Sequence, residues 1–232
     1  MSICVISQPR FFPGLHYLHR MMNADIFVIL DTVQFNPRHE ENRTKLKSPK
    51  GWSWLTVPIK KESRSQLIRQ TCINNEILWQ RKALGTLQSL YGRADFYHQY
   101  TAEITAIIET PYQQLVQLDR RSWDPALRLL NIGCRFISAS ELPVTGQGSG
   151  YLLNICSYLE AKSYLSGAFG REYLDLKAFH SLGINTLFHE YDYPSYSQRF
   201  GDFVPFLSYL DMLFNVGLNR DEVLSGGRIV NS

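Results

Sequence analysis

Gln8-Pro9, Pro13-Gly14, His16 and His19 stand where a short apolar run ends and a helical pattern opens. A strand–turn–helix of this kind presents backbone N–H groups and a helix dipole at the rim of a sheet, an arrangement suited to an anion. There is no GxGxxG and no GxxxxGK[ST], so neither a dinucleotide fingerprint nor a P-loop is supported. His16 and His19, three apart, share a helix face; the pair resembles at a distance the H-x-G-H turn of nucleotidyltransferases. Isolated H-x-x-H pairs are more often packing or surface residues. A second group is Asp31 and Gln34, followed by Asn42-Arg43. A carboxylate at a strand end can act as a general base or accept a ligand hydroxyl. An arginine in the adjacent basic loop offers a planar grip on phosphate or carboxylate. The structural alternative has Asp31 capping a turn and Arg43 paired with Glu40 or Glu41. A third group is Ser166-Gly167, Tyr173, Tyr191, Tyr193, Tyr196 and Gln198. Ser166 lacks the glycine two positions upstream that a nucleophile elbow requires. The tyrosines suit stacking on a sugar or base, and equally suit packing with the hydroxyl outward.

These residues need a scaffold. Residues 2–7 and 26–30 are apolar runs too short for helices, and read as buried strands with Gln8 and Asp31 at their ends. Residues 32–51 read as a polar loop, and 54–59 and 67–73 as β segments, with Pro58 near an edge. Apolar positions through 75–131 recur at helical spacing, which predicts a helical insertion of three or four helices over about 75–132. Strand and helix patterns then alternate: 134–139, 151–161, 163–166, 175–182 and 184–191. A closing apolar helix is expected over 203–216, with Gly217 ending it. This rhythm predicts a single α/β domain over 1–232, with a mainly parallel, doubly wound (Rossmann- or nucleotidyltransferase-like) sheet. Such sheets bind ligands beyond the carboxyl ends of their strands.

Composition narrows the classes. With 232 residues, 44% of them hydrophobic and 19% charged, the chain has ample material for a core, and wholesale disorder is excluded. No apolar run approaches the ~20 residues of a membrane span, and no secretory signal opens the chain, so a cytoplasmic protein is expected. Four scattered cysteines, without CxxC, read as reduced thiols; Cys156, in an apolar helical setting with no nearby histidine, reads as packing. No His/Cys/carboxylate spacing specifies a metal. A net charge of +3 is too mild for a nucleic-acid binder, yet residues 38–69 carry nine cations against three anions. A basic segment on a slightly acidic body suits a phosphate-bearing small molecule, or a strand edge blunted by lysines.

The blocks QPRFFPGLHYLHRM, ADIFVILDTVQF, NR, WLTVPIKK, YLSGAFGREYL and FGDFVPFLSYLDMLFNVG resemble, in order and spacing, the WbqC-like family over about residues 3–217. That family occurs in bacterial O-antigen, lipopolysaccharide and related polysaccharide gene clusters. The resemblance implies acyl-type or aminoacyl transfer, glycine included, to an amino sugar. By position it carries over Gln8, Pro9, Pro13, Asp31, Gln34, Asn42, Arg43, Pro58, Ser166, Gly167, Tyr173, Tyr196, Gln198, Ser208 and Asp211. The chain departs from the family pattern at Thr32, where a second acid is usual, and at His39-Glu40-Glu41, before the Asn-Arg pair; His16 and His19 also fall where the family generally has no histidine.

The expected function is therefore transfer of an amino-acyl or acyl group to the amine of a nucleotide-linked sugar or a similar metabolite. The donor would be an acyl thioester, on coenzyme A or an acyl or peptidyl carrier protein, or an ATP-derived adenylate. Asp31 would be the base, with Gln8 and Ser166 donating to the developing oxyanion. Pro9, Gln34, Asn42, Arg43, Lys60, Gly167, Tyr173, Tyr196 and Gln198 would bind substrate. All of this requires Asp31, Asn42-Arg43 and Ser166-Gly167 to meet around one cavity. A nucleotidyltransferase or ATP-dependent ligase, and a non-catalytic glycan- or carrier-binding module, are the alternatives.

Overall fold

A computed structural model describes residues 2–60, 63 and 65–231. Lys61, Glu62 and Arg64 of the basic segment lie outside the described residues. Six strands form one sheet: β1 (Ile3–Ser7), β2 (Ile26–Ile29), β5 (Arg135–Ser138), β6 (Ser163–Gly167), β7 (Asn185–Tyr191) and β8 (Gly227–Asn231). Their spatial order is β5-β2-β1-β6-β7-β8, with all neighbours parallel except β7–β8. The sheet is mainly parallel, with helices on both faces, an α/β doubly wound arrangement.

Strands buried on both faces must be apolar throughout, which is why β1 and β2 read as unbroken hydrophobic runs. Alternate side chains serve opposite layers. Cys4, Ile6 and Val28 pack with Ile155 and Cys156 of α6 (Gly148–Tyr158) and Phe179 of α7 (Leu176–Ser181). Val5, Phe27 and Ile29 face Leu15 and Leu18 of α1 (Leu15–Met22) and join the apolar side of four further helices. These are α2 (Trp79–Tyr91), α3 (Tyr97–Glu109), α4 (Leu115–Arg121) and α5 (Asp124–Leu129), within the stretch whose periodicity predicts helices. Trp123 anchors this side: it is 1% exposed and its Nε1 donates to the Arg10 carbonyl at 2.8 Å.

Three local expectations are corrected. Within the supposed loop 32–51 lies β3 (Arg43–Ser48), antiparallel to β4 (Gly51–Thr56). Thr44 and Leu46 point inward there, an alternation that the intervening lysines disguise. Residues 67–73, expected as a strand, form a short 3-10 turn over Ile68–Gln70 flanked by isolated bridges, so the segment pairs only at single residues. The last apolar helix, α8 (Tyr209–Asn215), is about half the length expected. Ser208 caps it, accepting from Leu210 N at 3.2 Å, and Phe206 just before it has a φ of +61°, which a helix does not allow. After Gly217 (φ +81°) the chain adds α9 (Arg220–Ser225) and β8, neither foreseen. All four cysteines are free thiols, Cys4 and Cys156 buried. Among the described residues no helix is long and apolar enough to cross a membrane.

Candidate functional site

In the strand order, β1 leads outward through α1 to β2, whereas its other neighbour, β6, leads the opposite way to β7. Loops diverging from adjacent parallel strands leave a crevice at their carboxyl ends. A cavity of about 1120 Å³ occupies that crevice. Its floor is Ser7 and Gln8 at the carboxyl end of β1 and Ser166–Gly170 at the carboxyl end of β6 and just beyond it. One wall is His189, Glu190 and Tyr191 of β7 with Arg228 of β8; the other is Arg38–Glu41 with Lys45 and Trp54 of the β3–β4 hairpin. His16 and Arg20 enter from α1, and Phe169, Tyr173 and Phe206 stand more than half exposed at its margin.

The electrostatics of this cavity centre on Arg20. Its side chain is 8% exposed, donates one hydrogen bond to Ser7 Oγ (3.2 Å) and lies 5.4 Å over the Tyr17 ring. Among the described residues no carboxylate pairs with it, and burial together with the Arg10 charge pulls its pKa down. A buried, unpaired cation is costly. Of the other charges, Arg10 is tied to Glu40 (2.5 Å), and Glu190 to Arg171 (3.2 Å) and Arg228 (2.8 Å). Ser166 Oγ is buried without a partner of good hydrogen-bond geometry; the Tyr164 phenol is its polar neighbour.

The histidines are occupied. Arg10 donates to His16 Nε2 at 3.0 Å, so His16 Nδ1–H faces the Tyr193 hydroxyl. Burial and the Arg10 charge hold His16 well below its ordinary pKa. His19 Nδ1 meets His189 Nε2 at 2.9 Å, and burial, with Arg20, pushes His189 down to about 3. Both pairs are neutral, and with both its ring nitrogens engaged His16 cannot serve as the free histidine of an H-x-G-H turn.

Of the residues singled out from the sequence, the structure brings Gln8, His16, Ser166, Gly167, Tyr173 and Tyr191 to this cavity. Asp31 does not join them. It lines a separate cavity of about 460 Å³ beyond β2 and β5, with Arg69, Gln70, Gln114, Gln117, Arg120 and Ser140. Its carboxylate accepts from Ser140 N (3.0 Å) and Ser140 Oγ (2.6 Å). The expected convergence on one cavity is thus corrected: Asp31 cannot be the base there. Asp31→Asn should leave pyrophosphate binding at the large cavity unchanged while costing about 1–2 kcal/mol in urea unfolding, because the Ser140 clasp is broken. Weakened binding in that titration would return Asp31 to the ligand.

Several other candidates serve the framework. Arg43 pairs with neither Glu40 nor Glu41; it donates to the carbonyls of His39 (3.1 Å) and Arg38 and lies 4.0 Å over the Trp54 ring. Asn42 Nδ2 donates to the Val57 carbonyl (2.9 Å), and Lys60 pairs with exposed Glu76 (3.1 Å). Tyr196 donates to Asp211 (2.9 Å), and Gln198 clasps Val204 through both its amide atoms. Gln34 forms an isolated bridge with Leu67, Pro9 is buried, and the Pro13 carbonyl accepts from Tyr209 N (2.8 Å). The Pro58 carbonyl accepts from Asn74 N (2.9 Å), and Ser208 Oγ donates to the Phe12 carbonyl (2.8 Å).

Sequence reasoning missed Arg20 and Glu41. Glu41 is 1% exposed, lines the large cavity, and is raised by burial to about 7. Arg20 falls one turn after His16 on α1, and that spacing was its only sequence signal.

No significant match to a solved structure was found. The chain is 30% identical to "Uncharacterized protein Rv1507c" of Mycobacterium tuberculosis (strain ATCC 25618 / H37Rv) over 227 residues, which covers 97% of this chain and 98% of that protein. The sequence model of the WbqC-like protein family matches residues 8–223. With that match running from the turn after β1 into α9, and so across every wall of the crevice except the β8 edge, the chain belongs to the WbqC-like protein family.

Proposed function

We propose that the chain is a cytoplasmic transferase of surface-polysaccharide or related secondary metabolism. It seats the phosphate of a nucleotide-linked amino sugar in the large cavity and passes an acyl or aminoacyl group to the sugar amine. The observation that carries this reading is Arg20, a buried guanidinium that no carboxylate among the described residues pairs with, at the switch point of the sheet. An anionic ligand repays the cost of holding that charge out of water. The size of the cavity and its aromatic margin (Trp54, Phe169, Tyr173, Phe206) suit a sugar nucleotide. Gln8 and Ser166 supply hydrogen-bond donors at the strand ends, where a tetrahedral oxyanion would develop. The donor is an activated acyl group, a thioester or an acyl adenylate.

Titration calorimetry with UDP-glucosamine and with inorganic pyrophosphate tests the seat. Mass spectrometry after incubation with UDP-glucosamine and either acetyl-CoA, or glycine with ATP, tests the transfer. Binding of both probes and an N-acylated sugar nucleotide are expected. Absence of binding overturns the reading; pyrophosphate release from ATP without acylated sugar replaces it with a ligase or nucleotidyltransferase.

A further inference from the structure

The large cavity needs a group that can move a proton, and its charged walls offer few. Arg10 is held by Glu40, and Glu190 by two arginines; His16, His19 and His189 are locked in neutral pairs, and the fourth histidine of the lining, His39, contacts Asn36 on one ring nitrogen and faces Glu41 with the other. Glu41 differs from all of these. It is almost wholly buried, its Oε2 has no hydrogen-bond partner among the described residues, and its Oε1 lies 3.7 Å from His39 Nδ1.

Its position is fixed from both sides. Arg43 reaches back to the carbonyls of Arg38 and His39 while stacked on Trp54, and Phe11 N donates to the Glu40 carbonyl at 3.1 Å. The charged groups acting on Glu41 are Arg10 from the β1–α1 turn, with His39, Glu40 and Arg43 from its own segment. Asp119 of α4 also feels its charge; that residue is 0% exposed, both its carboxylate oxygens lack partners, and its pKa is raised by burial and by Glu41. Two buried acids within electrostatic reach cannot both ionise cheaply. Burial and Glu41 raise the Asp119 carboxyl well above the usual carboxylate range, whereas Arg10 and Arg43 act on Glu41 to favour its ionised form.

The geometry points to Glu41 as the proton-transfer residue of the large cavity, resting on the transfer reading above. Glu41 accepts a proton from the sugar ammonium, and the freed amine attacks the acyl carbonyl. The new C–N bond forms as the bond to the thiolate or adenylate breaks. The leaving group departs with that electron pair; Glu41 first releases the ammonium proton to the leaving group or to solvent, and, again ionised, takes the second amine proton. Sugar ammonium and thioester thus become amide, free thiol and one proton; with an acyl adenylate the products are amide, AMP and the protons that the ammonium and the AMP phosphate release.

The test compares native protein with Glu41→Gln and Glu41→Asp. Carboxyl ¹³C NMR of glutamate-labelled protein should show one resonance titrating near neutral pH, missing in Glu41→Gln, whose midpoint moves when pyrophosphate is added. Glu41→Gln should bind pyrophosphate within about threefold of native yet lose turnover by about 100-fold or more. Glu41→Asp should recover part of that rate with its acid limb at a different pH. Pyrophosphate binding without any effect on the Glu41 titration, or native turnover in Glu41→Gln, overturns the assignment and leaves the transfer reading standing. No binding by native protein overturns both.

Discussion

Arg20→Met should abolish most of the anion affinity of this protein without making the free protein less stable. Methionine keeps much of the packing volume but removes the guanidinium of a residue that is 8% exposed and that, among the described residues, donates to Ser7 Oγ. Truncating one partner of a desolvated, charged hydrogen-bonded pair costs about 2–5 kcal/mol, or roughly 30-fold to several thousand-fold in Kd for pyrophosphate or UDP. For the free protein the sign reverses. An uncompensated buried charge is a liability, and its apolar replacement is neutral or stabilising. Calorimetric titration gives the first quantity and urea unfolding the second. If Arg20→Met unfolds more easily by several kcal/mol and binds pyrophosphate normally, Arg20 is a structural residue and the ligand seat lies elsewhere.

The second large effect concerns Glu41 and pH. Burial raises its carboxyl from the ordinary range to about 7. In the unfolded chain the same group ionises near its reference value of about 4.3. Between those two values the folded protein binds the extra proton, so this residue makes folding less favourable as pH rises, by about 4 kcal/mol once both forms are ionised. Glu41→Gln has no charge to bury. Its stability relative to native protein should therefore increase steadily from pH 4.5 to pH 8 and level off above. Urea midpoints for the two proteins across that range measure it; a difference independent of pH would mean Glu41 is hydrated. Changes shared by both proteins cancel, including those of the buried histidines, whose lowered pKa values act in the opposite direction below about pH 6.5.

Much of the scaffold is legible in the residues because its signals are local. An apolar run as short as Ile26–Leu30 has only one way to bury both faces, as a central strand, and the period of 79–129 has only one face to bury. The hairpin escaped notice because Arg43, Lys45 and Lys47 interrupt the inward Thr44 and Leu46, and because Lys47 itself is buried, with its Nζ on the Asp202 carbonyl. β8 escaped because Gly227–Asn231 has little apolar content; it is held by pairing with β7, which nothing within the segment announces.

From sequence alone came the family likeness, the alternation of strands with helices, and the rule that chemistry gathers at strand ends. These depend on neighbours in the chain: side-chain period, turn residues and the length of apolar runs. The three-dimensional arrangement decided which strand ends share a cavity. Gln8, Asp31 and Ser166 all follow strands, but only β1 and β6 are adjacent with diverging connections, while β2 opens toward β5. It also decided which charges are dry. Arg20 and Glu41 look like ordinary surface residues in their own segments, because burial is set by elements far away in the chain, and burial is what makes a guanidinium seek an anion and a carboxyl hold its proton.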